Sequence, residues 1–186
     1  FDIDTSLEAV CDALRQGERL SQDHTFFREA QWNGSVLKVR SDNGYLAAAI
    51  VDFLRETLME RGDSFSFETV MSHRSKVEFF RRSRDVGYKT YLYFVCTTSA
   101  DLNVARVRSR VGTGGHSVPE QKIRERYIRS LELAREARSH SYRAYFFDNS
   151  GRTPIWLAEF DPQGQCQLQV RESELPGWFR TWVLDP

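Results

Sequence analysis

The stretch RVGTGGHSVPEQKIRERYIRSL, residues 110–131, sets a glycine-rich turn, a histidine and a proline ahead of a helix crowded with arginines. Over the whole chain 26 Lys+Arg balance 26 Asp+Glu. The positive charge is therefore a local field rather than the surplus of a basic protein, and a local field of this sign suits an anion. On the helix before the turn, Asn103, Arg106 and Arg110 share one stripe at spacings of three and four, and Val104, Val107 and Val111 share another. On the helix after it, Ile123, Tyr127, Leu131 and Ala134 face inward while Lys122, Arg126 and Arg129 share a second face. Guanidinium forks match phosphate oxygens better than ammonium groups do. Gly112, Gly114 and Gly115 allow positive φ and close backbone approach, and a helix N-terminus beginning at Ser117 favours anions. The chemistry suggested is a lid that closes Arg106, Arg110, Arg126 and Arg129 over a polyphosphate, with Gly114, Gly115 and His116 forming its turn and the His116 ring hydrogen-bonded locally. The same spacing also suits two solvated helices laced by i,i+4 ion pairs to Glu120, Glu125 and Glu132.

Further polar residues stand where strands should end. SFSFETV, residues 64–70, alternates Phe65 and Phe67 with small polar residues and reads as a strand. It leads into Glu68, Thr69, Ser72 and Arg74, where a carboxylate between phenylalanines and a helix start needs a partner. A second strand, in YKTYLYFVCT, leads to Thr97, Thr98 and Ser99; a third, in YRAYFFDNS, leads to Asp148, Asn149 and Ser150. In a parallel α/β sheet ligands gather at such ends. Hydroxyls and acids there also cap following helices, the plainer reading for Ser99 and Asp148.

These positions need a scaffold, and the pattern supplies one. Helices are expected over residues 6–17, 44–61 with Gly62 as C-cap, 75–86 stopped at Gly87, 99–111, and 119–138 with Ser117 as N-cap and Pro119 near N1. YKTYLYFVCT lacks polar alternation and reads as a central strand buried on both faces. PIWLAEFD and QCQLQV form a hairpin around PQGQ, and GWFRTWVL a short terminal helix. Alternating strands and helices imply an α/β fold with a parallel sheet, crossover helices and an antiparallel C-terminal hairpin. A length of 186 residues fits a single domain over 1–186.

Composition excludes several classes. The longest apolar stretch, YLAAAIVDFL, is broken by Asp52, and no secretory leader is visible, so a cytoplasmic protein without a membrane span is expected. Cys11, Cys96 and Cys166 are widely spaced and read as reduced and structural. His24, His73, His116 and His140 are equally dispersed, so no metal site is expected. Neutral net charge disfavours nucleic acid as a partner.

Taken together, FSFETVMSHRSK, GYKTYLYFV, RVGTGGHSVPEQKIRERYIRSLEL, RAYFFDNSG and LPGWFRTWVLD resemble the zeta-toxin-like family of P-loop kinases, in its bacterial predicted-ATPase branch, over residues 44–186. The resemblance implies a P-loop NTPase fold, ATP with Mg2+, and phosphoryl transfer to a small hydroxyl acceptor such as a UDP-activated amino sugar, with an antitoxin protein as partner. It implies that Glu68, Thr69 and Ser72 line the acceptor pocket, that Arg106 and Arg110 lie in the lid over the phosphates, and that Gly115, His116, Arg126 and Arg129 belong to the branch's own signature. The family's G-x-x-x-x-G-K-[ST] loop, which holds phosphates and Mg2+, has no counterpart in the 186 residues. Its acceptor-activating acid has only Asp4 as a candidate. The expectation is thus a kinase whose phosphate loop is missing from this chain, inactive in this form; the alternative is a non-catalytic nucleotide- or protein-binding module.

Overall fold

The computed structural model describes Asp12, residues 30–32, 37–39 and 44–184. Asp12 is helical. The rest of the helix expected over 6–17, and Asp4, lie outside the described residues. The chain forms two compact units, residues 1–67 and 68–186.

In the first unit β1 (Ala30–Trp32) pairs antiparallel with β2 (Leu37–Val39). Helix α1 (Gly44–Glu60) follows. It ends as its sequence requires: Gly62 takes φ +73°, its N–H donates to the carbonyl of Met59, and Asp63 donates to Leu58. This paired arrangement satisfies the last carbonyls of a helix and needs a left-handed residue, which glycine supplies. Arg55 is buried, forms an ion pair with Asp52, and lays its guanidinium 4.6 Å from the centre of the Phe67 ring. Burial pulls its pKa below the usual guanidinium range.

The strand expected at 64–70 does not form. Phe65 and Phe67 are half-buried and Ser64 and Ser66 exposed, so the period-two alternation is present. A strand, however, exists only against a partner, and among the described residues none runs alongside.

The second unit opens with helix α2 (Arg74–Asp85), capped by His73, whose Nδ1 accepts from the N–H of Ser75 at 3.2 Å. It stops at Gly87 (φ +92°) by the same paired carbonyl arrangement as α1. Then come β3 (Tyr91–Cys96), α3 (Ala100–Gly112), α4 (Glu120–Ser139), β4 (Arg143–Asp148), β5 (Ile155–Phe160) and β6 (Cys166–Leu168). A 3-10 turn (Glu172–Glu174) leads to α5 (Gly177–Phe179), which continues as one π-helical turn (Arg180–Leu184). The strand order is β3-β4-β5-β6. Among the described residues only β3 and β4 run parallel; β4–β5 and β5–β6 are antiparallel. The unit is thus a mixed α/β fold with one parallel pair where a parallel sheet was expected, and the hairpin and terminal helix form as read.

The core lies on one side of this sheet. Leu92, Phe94 and Cys96 of β3 are buried, but Tyr91, Tyr93 and Val95 are exposed. Among the described residues β3 stands at the edge of the sheet and has one covered face, where a central strand covered on both was expected. Its run of aromatic and β-branched residues meets two environments: Phe94 faces the core, while Tyr93 stacks on Tyr145 of β4 with ring centres 4.9 Å apart. The fully buried Phe146 of β4 meets Phe94, Phe160 and Phe179 with ring centres 5.4–5.6 Å apart. Leu131, Ala134 and Ala137 form the buried stripe of α4. A bulge between Phe146 and Phe147 places Leu157 as an extra residue in β5, so Leu157 and Ala158 are both buried. Among the described residues no helix is long and apolar enough to cross a membrane.

Candidate anion-binding site at the strand ends

Because β3 and β4 are parallel, their carboxyl ends lie at one edge of the sheet. Ser99 caps α3 as expected, its Oγ accepting from the N–H of Leu102 at 3.3 Å. Thr97 Oγ1 lies 3.0 Å from Asn103 Oδ1 and 3.1 Å from the carbonyl of Ser99. The carbonyl of Thr97 accepts from the Tyr127 hydroxyl at 3.0 Å and from Cys96 Sγ at 3.4 Å. Burial pushes the Cys96 thiol up to about 12. Burial, helped by Cys96 and Asp148, pushes the Tyr127 phenol up to about 12 as well. Both groups stay protonated at neutral pH and donate to the strand end from two sides.

Asp148 ends β4 and is buried. Its Oδ1 accepts from the N–H of Ser150 at 2.9 Å, and its Oδ2 accepts from Trp178 Nε1 at 3.0 Å. No helix follows directly, so Asp148 is not the helix cap that its position suggested; its partner comes from α5. Ser150 Oγ in turn accepts from the N–H of Thr98 at 2.8 Å. Arg106 reaches over from α3, its Nη2 donating to the carbonyls of Ser150 and Gly151 at 3.4 and 3.3 Å. Of the four arginines singled out by sequence, Arg106 is the one that these bonds hold at the strand ends.

The others lie along the α3–α4 hairpin. Arg129 pairs with Glu125 at 3.1 Å, as the solvated-helix reading requires. Arg124 bridges Glu120 and Asp101, both at 2.7 Å, and Arg108 reaches Glu120 at 2.6 Å, tying the two helices together. Among the described residues, the side chains of Arg110 and Arg126 make no ion pair or hydrogen bond. Asp101, Glu120 and Glu125 pair with Arg108, Arg124 and Arg129, and neither Arg110 nor Arg126 has an acid three or four residues away in the sequence.

The glycine-rich turn is first of all a helix stop. Gly114 takes φ +89° and donates to Val111, and Gly115 donates to Arg110 at 2.9 Å. His116 is exposed and, among the described residues, its ring makes no hydrogen bond, contrary to the local bond expected of it. α4 begins at Glu120 with Pro119 at the N-cap, so Ser117 is not the cap. Proline has no N–H to lose at a helix start.

Glu68 and Thr69 are exposed and Ser72 half-buried. An exposed carboxylate keeps its water, so Glu68 lacks the need for a partner that its neighbours suggested. Thr69 Oγ1 accepts from the N–H of Met71 at 3.3 Å, in a turn where buried Met71 adopts φ +55°. Arg74 opens α2 and pairs with Glu136 at 2.8 Å. Among the described residues, no hydrogen bond or ion pair joins this group to the strand ends.

No family model matches this chain. A segment covering 34% of it is 27% identical, over 63 residues, to an uncharacterized protein of Haemophilus influenzae. The aligned segment spans 45% of that relative's length. No solved structure matches.

Sequence reasoning passed over Trp178 and gave Tyr127 only a core-facing role. The signal was available: an indole N–H or phenol hydroxyl carried into a core must find an acceptor, and Asp148 and the Thr97 carbonyl are the acceptors. Among the described residues no group of three or more His, Cys, Asp or Glu side chains that could hold a metal ion is found, and each oxygen of Asp148 accepts one hydrogen bond, from Ser150 and Trp178.

Proposed function

We propose that the carboxyl end of the β3–β4 pair, with the α3–α4 hairpin, binds the phosphates of a nucleotide, and that this chain belongs to an ATP-dependent phosphotransferase acting on a small hydroxyl acceptor such as a UDP-amino sugar. The observation that carries the reading is the division among the arginines. Arg108, Arg124 and Arg129 are neutralised by acids, whereas Arg106 sits at the strand end on two carbonyls and Arg110 and Arg126 carry no counter-charge among the described residues. Guanidinium groups without a counter-charge suit an anionic ligand. Catalysis on this reading is positioning and charge stabilisation of the transferring group. Resemblance of the motif blocks to zeta-toxin-like kinases supports the nucleotide and the acceptor class. An antitoxin partner and a cytoplasmic location belong to the same proposal.

A second reading, a nucleotide-binding module without catalysis, is favoured by the lack of a G-x-x-x-x-G-K-[ST] sequence in the 186 residues. One experiment separates the two. Titration calorimetry with ATP should show binding that Arg106→Ala weakens, and γ-phosphate transfer to UDP-N-acetylated amino sugars should follow only under the kinase reading. Absence of ATP binding refutes both.

A further inference from the structure

The most continuous polar chain in the second unit runs from its terminal helix to the strand ends. Trp178 is 6% exposed, and its ring packs on Phe94 and Phe179 with centres 6.1 and 5.6 Å away. Its single polar atom, Nε1, donates to Asp148 Oδ2 at 3.0 Å. The other oxygen of that carboxylate takes the Ser150 N–H at 2.9 Å. The Ser150 hydroxyl takes the N–H of Thr98 at 2.8 Å and lies 3.2 Å from Thr98 Oγ1, which locks the β4 loop to the β3 loop. The carbonyls of Ser150 and Gly151 then receive Arg106. Each link shares a residue with the one before it.

We infer that Trp178 is a positioning residue for Arg106: through Asp148 and Ser150 the terminal helix sets where the guanidinium stands over the strand ends. The inference rests on the anion-binding reading for its consequence, although not for its geometry. Of the two oxygens of Asp148, Oδ2 is held, among the described residues, by the indole N–H alone. Removing that donor frees the carboxylate to rotate. The Ser150 loop then loses its fixed acceptor, and the two carbonyls that seat Arg106 lose their place. A packing role for Trp178 needs the ring alone; the positioning role needs the N–H.

Trp178→Phe in the 186-residue chain keeps an aromatic ring and deletes the donor. Backbone amide exchange followed by NMR should quicken about tenfold or more at Thr98 and Ser150 in this variant while the amide of Phe146 is unchanged. Binding of inorganic tripolyphosphate, measured by calorimetry, should weaken about tenfold, the scale of one charge-assisted hydrogen bond. Trp156→Phe, which deletes the indole donor to the Ala158 carbonyl, should change neither. Should Trp178→Phe fail to fold, Asp148→Asn leaves one acceptor oxygen for the two N–H donors, of Trp178 and Ser150, so either loss breaks the relay and should give the same pattern. Unchanged exchange at Thr98 and Ser150 overturns the inference whatever happens to binding, and faster exchange with unchanged tripolyphosphate affinity overturns the link to Arg106. If the parent chain binds no tripolyphosphate while exchange quickens, the relay stands and the anion-binding reading falls.

Discussion

The N–H of Gly115 donates to the carbonyl of Arg110 at 2.9 Å, and a Cβ placed on Gly115 would stand 2.5 Å from Cγ and 2.8 Å from the carbonyl oxygen of that same arginine. The turn between α3 and α4 therefore has no room for a side chain where it folds back on one of the two uncommitted guanidinium groups. Gly115→Ala should destabilise the fold by about 1–3 kcal/mol, the range for overpacking. Gly112→Ala meets nothing within 4 Å and lies at the end of the helix, so it should stabilise by about 0.4–1 kcal/mol through the unfolded chain. Urea unfolding of both variants checks the opposite signs.

Arg126 shares the α3–α4 hairpin with three paired arginines but has no ion-pair partner among the described residues. If it faces a transferring phosphoryl group, Arg126→Ala in the full-length protein should lower turnover by about 10³-fold or more, the scale known for a charge-stabilising arginine in this chemistry. Its melting temperature should stay put, because no ion pair is lost. Arg129→Ala breaks a pair with Glu125. Measuring rate and melting temperature for both variants decides: normal turnover with a lowered midpoint for Arg126→Ala would make the cluster structural.

β3 carries an aromatic on each face, and the two should respond differently. Phe94 is 7% exposed and Tyr93 64% exposed. Phe94→Ala should cost about 3–5 kcal/mol as a core truncation. Tyr93→Ala should cost about 0.5–1.5 kcal/mol, the worth of its stacking on Tyr145. Equal costs in chemical denaturation would mean that both faces are covered.

The thiol of Cys96 is held up to about 12 by burial, against an ordinary value of 9.0. As pH rises past 9 the unfolded chain releases this proton and the folded chain keeps it, so stability falls from pH 9 up to about 12, by at most about 1.4 kcal/mol per pH unit for one group. Below pH 9 the thiol contributes no slope. Cys96→Ala should make the alkaline limb of a plot of denaturation midpoint against pH shallower, most clearly between pH 9 and 10, where the raised Tyr127 phenol does not yet contribute; an unaltered limb would refute the assignment.

Features governed by neighbours along the chain were legible in sequence. Gly62 and Gly87 end their helices and Ser99 starts one because capping is settled within a few residues. The inward stripe of Leu131 and Ala134 follows from helical periodicity in the same way. What escaped depends on distant partners. Tyr91, Tyr93 and Val95 have the composition of a buried strand, and composition does not say how many layers cover a sheet. Phe65 and Phe67 alternate like a strand, yet pairing depends on what runs beside them. Asp148 looked like a cap since its true partner, Trp178, lies thirty residues on. For the candidate site, the sequence singled out Arg106 by its helical spacing, but the bonds that seat it come from the loop after β4.

The lone parallel pair has a consequence for how the chain is made. β4 meets β5 and β6 through short connections, so that meander closes locally, whereas β3 waits for the whole of α3 and α4, residues 97–142, before its partner exists. Contacts of such sequence separation form slowly, because loop closure is costly before it is rewarded. On a ribosome adding about 5–20 residues per second, the YLYFVC segment stays unpaired for seconds after it emerges. During synthesis, that interval is when this apolar strand is most open to chaperone capture or to misassembly with another nascent chain.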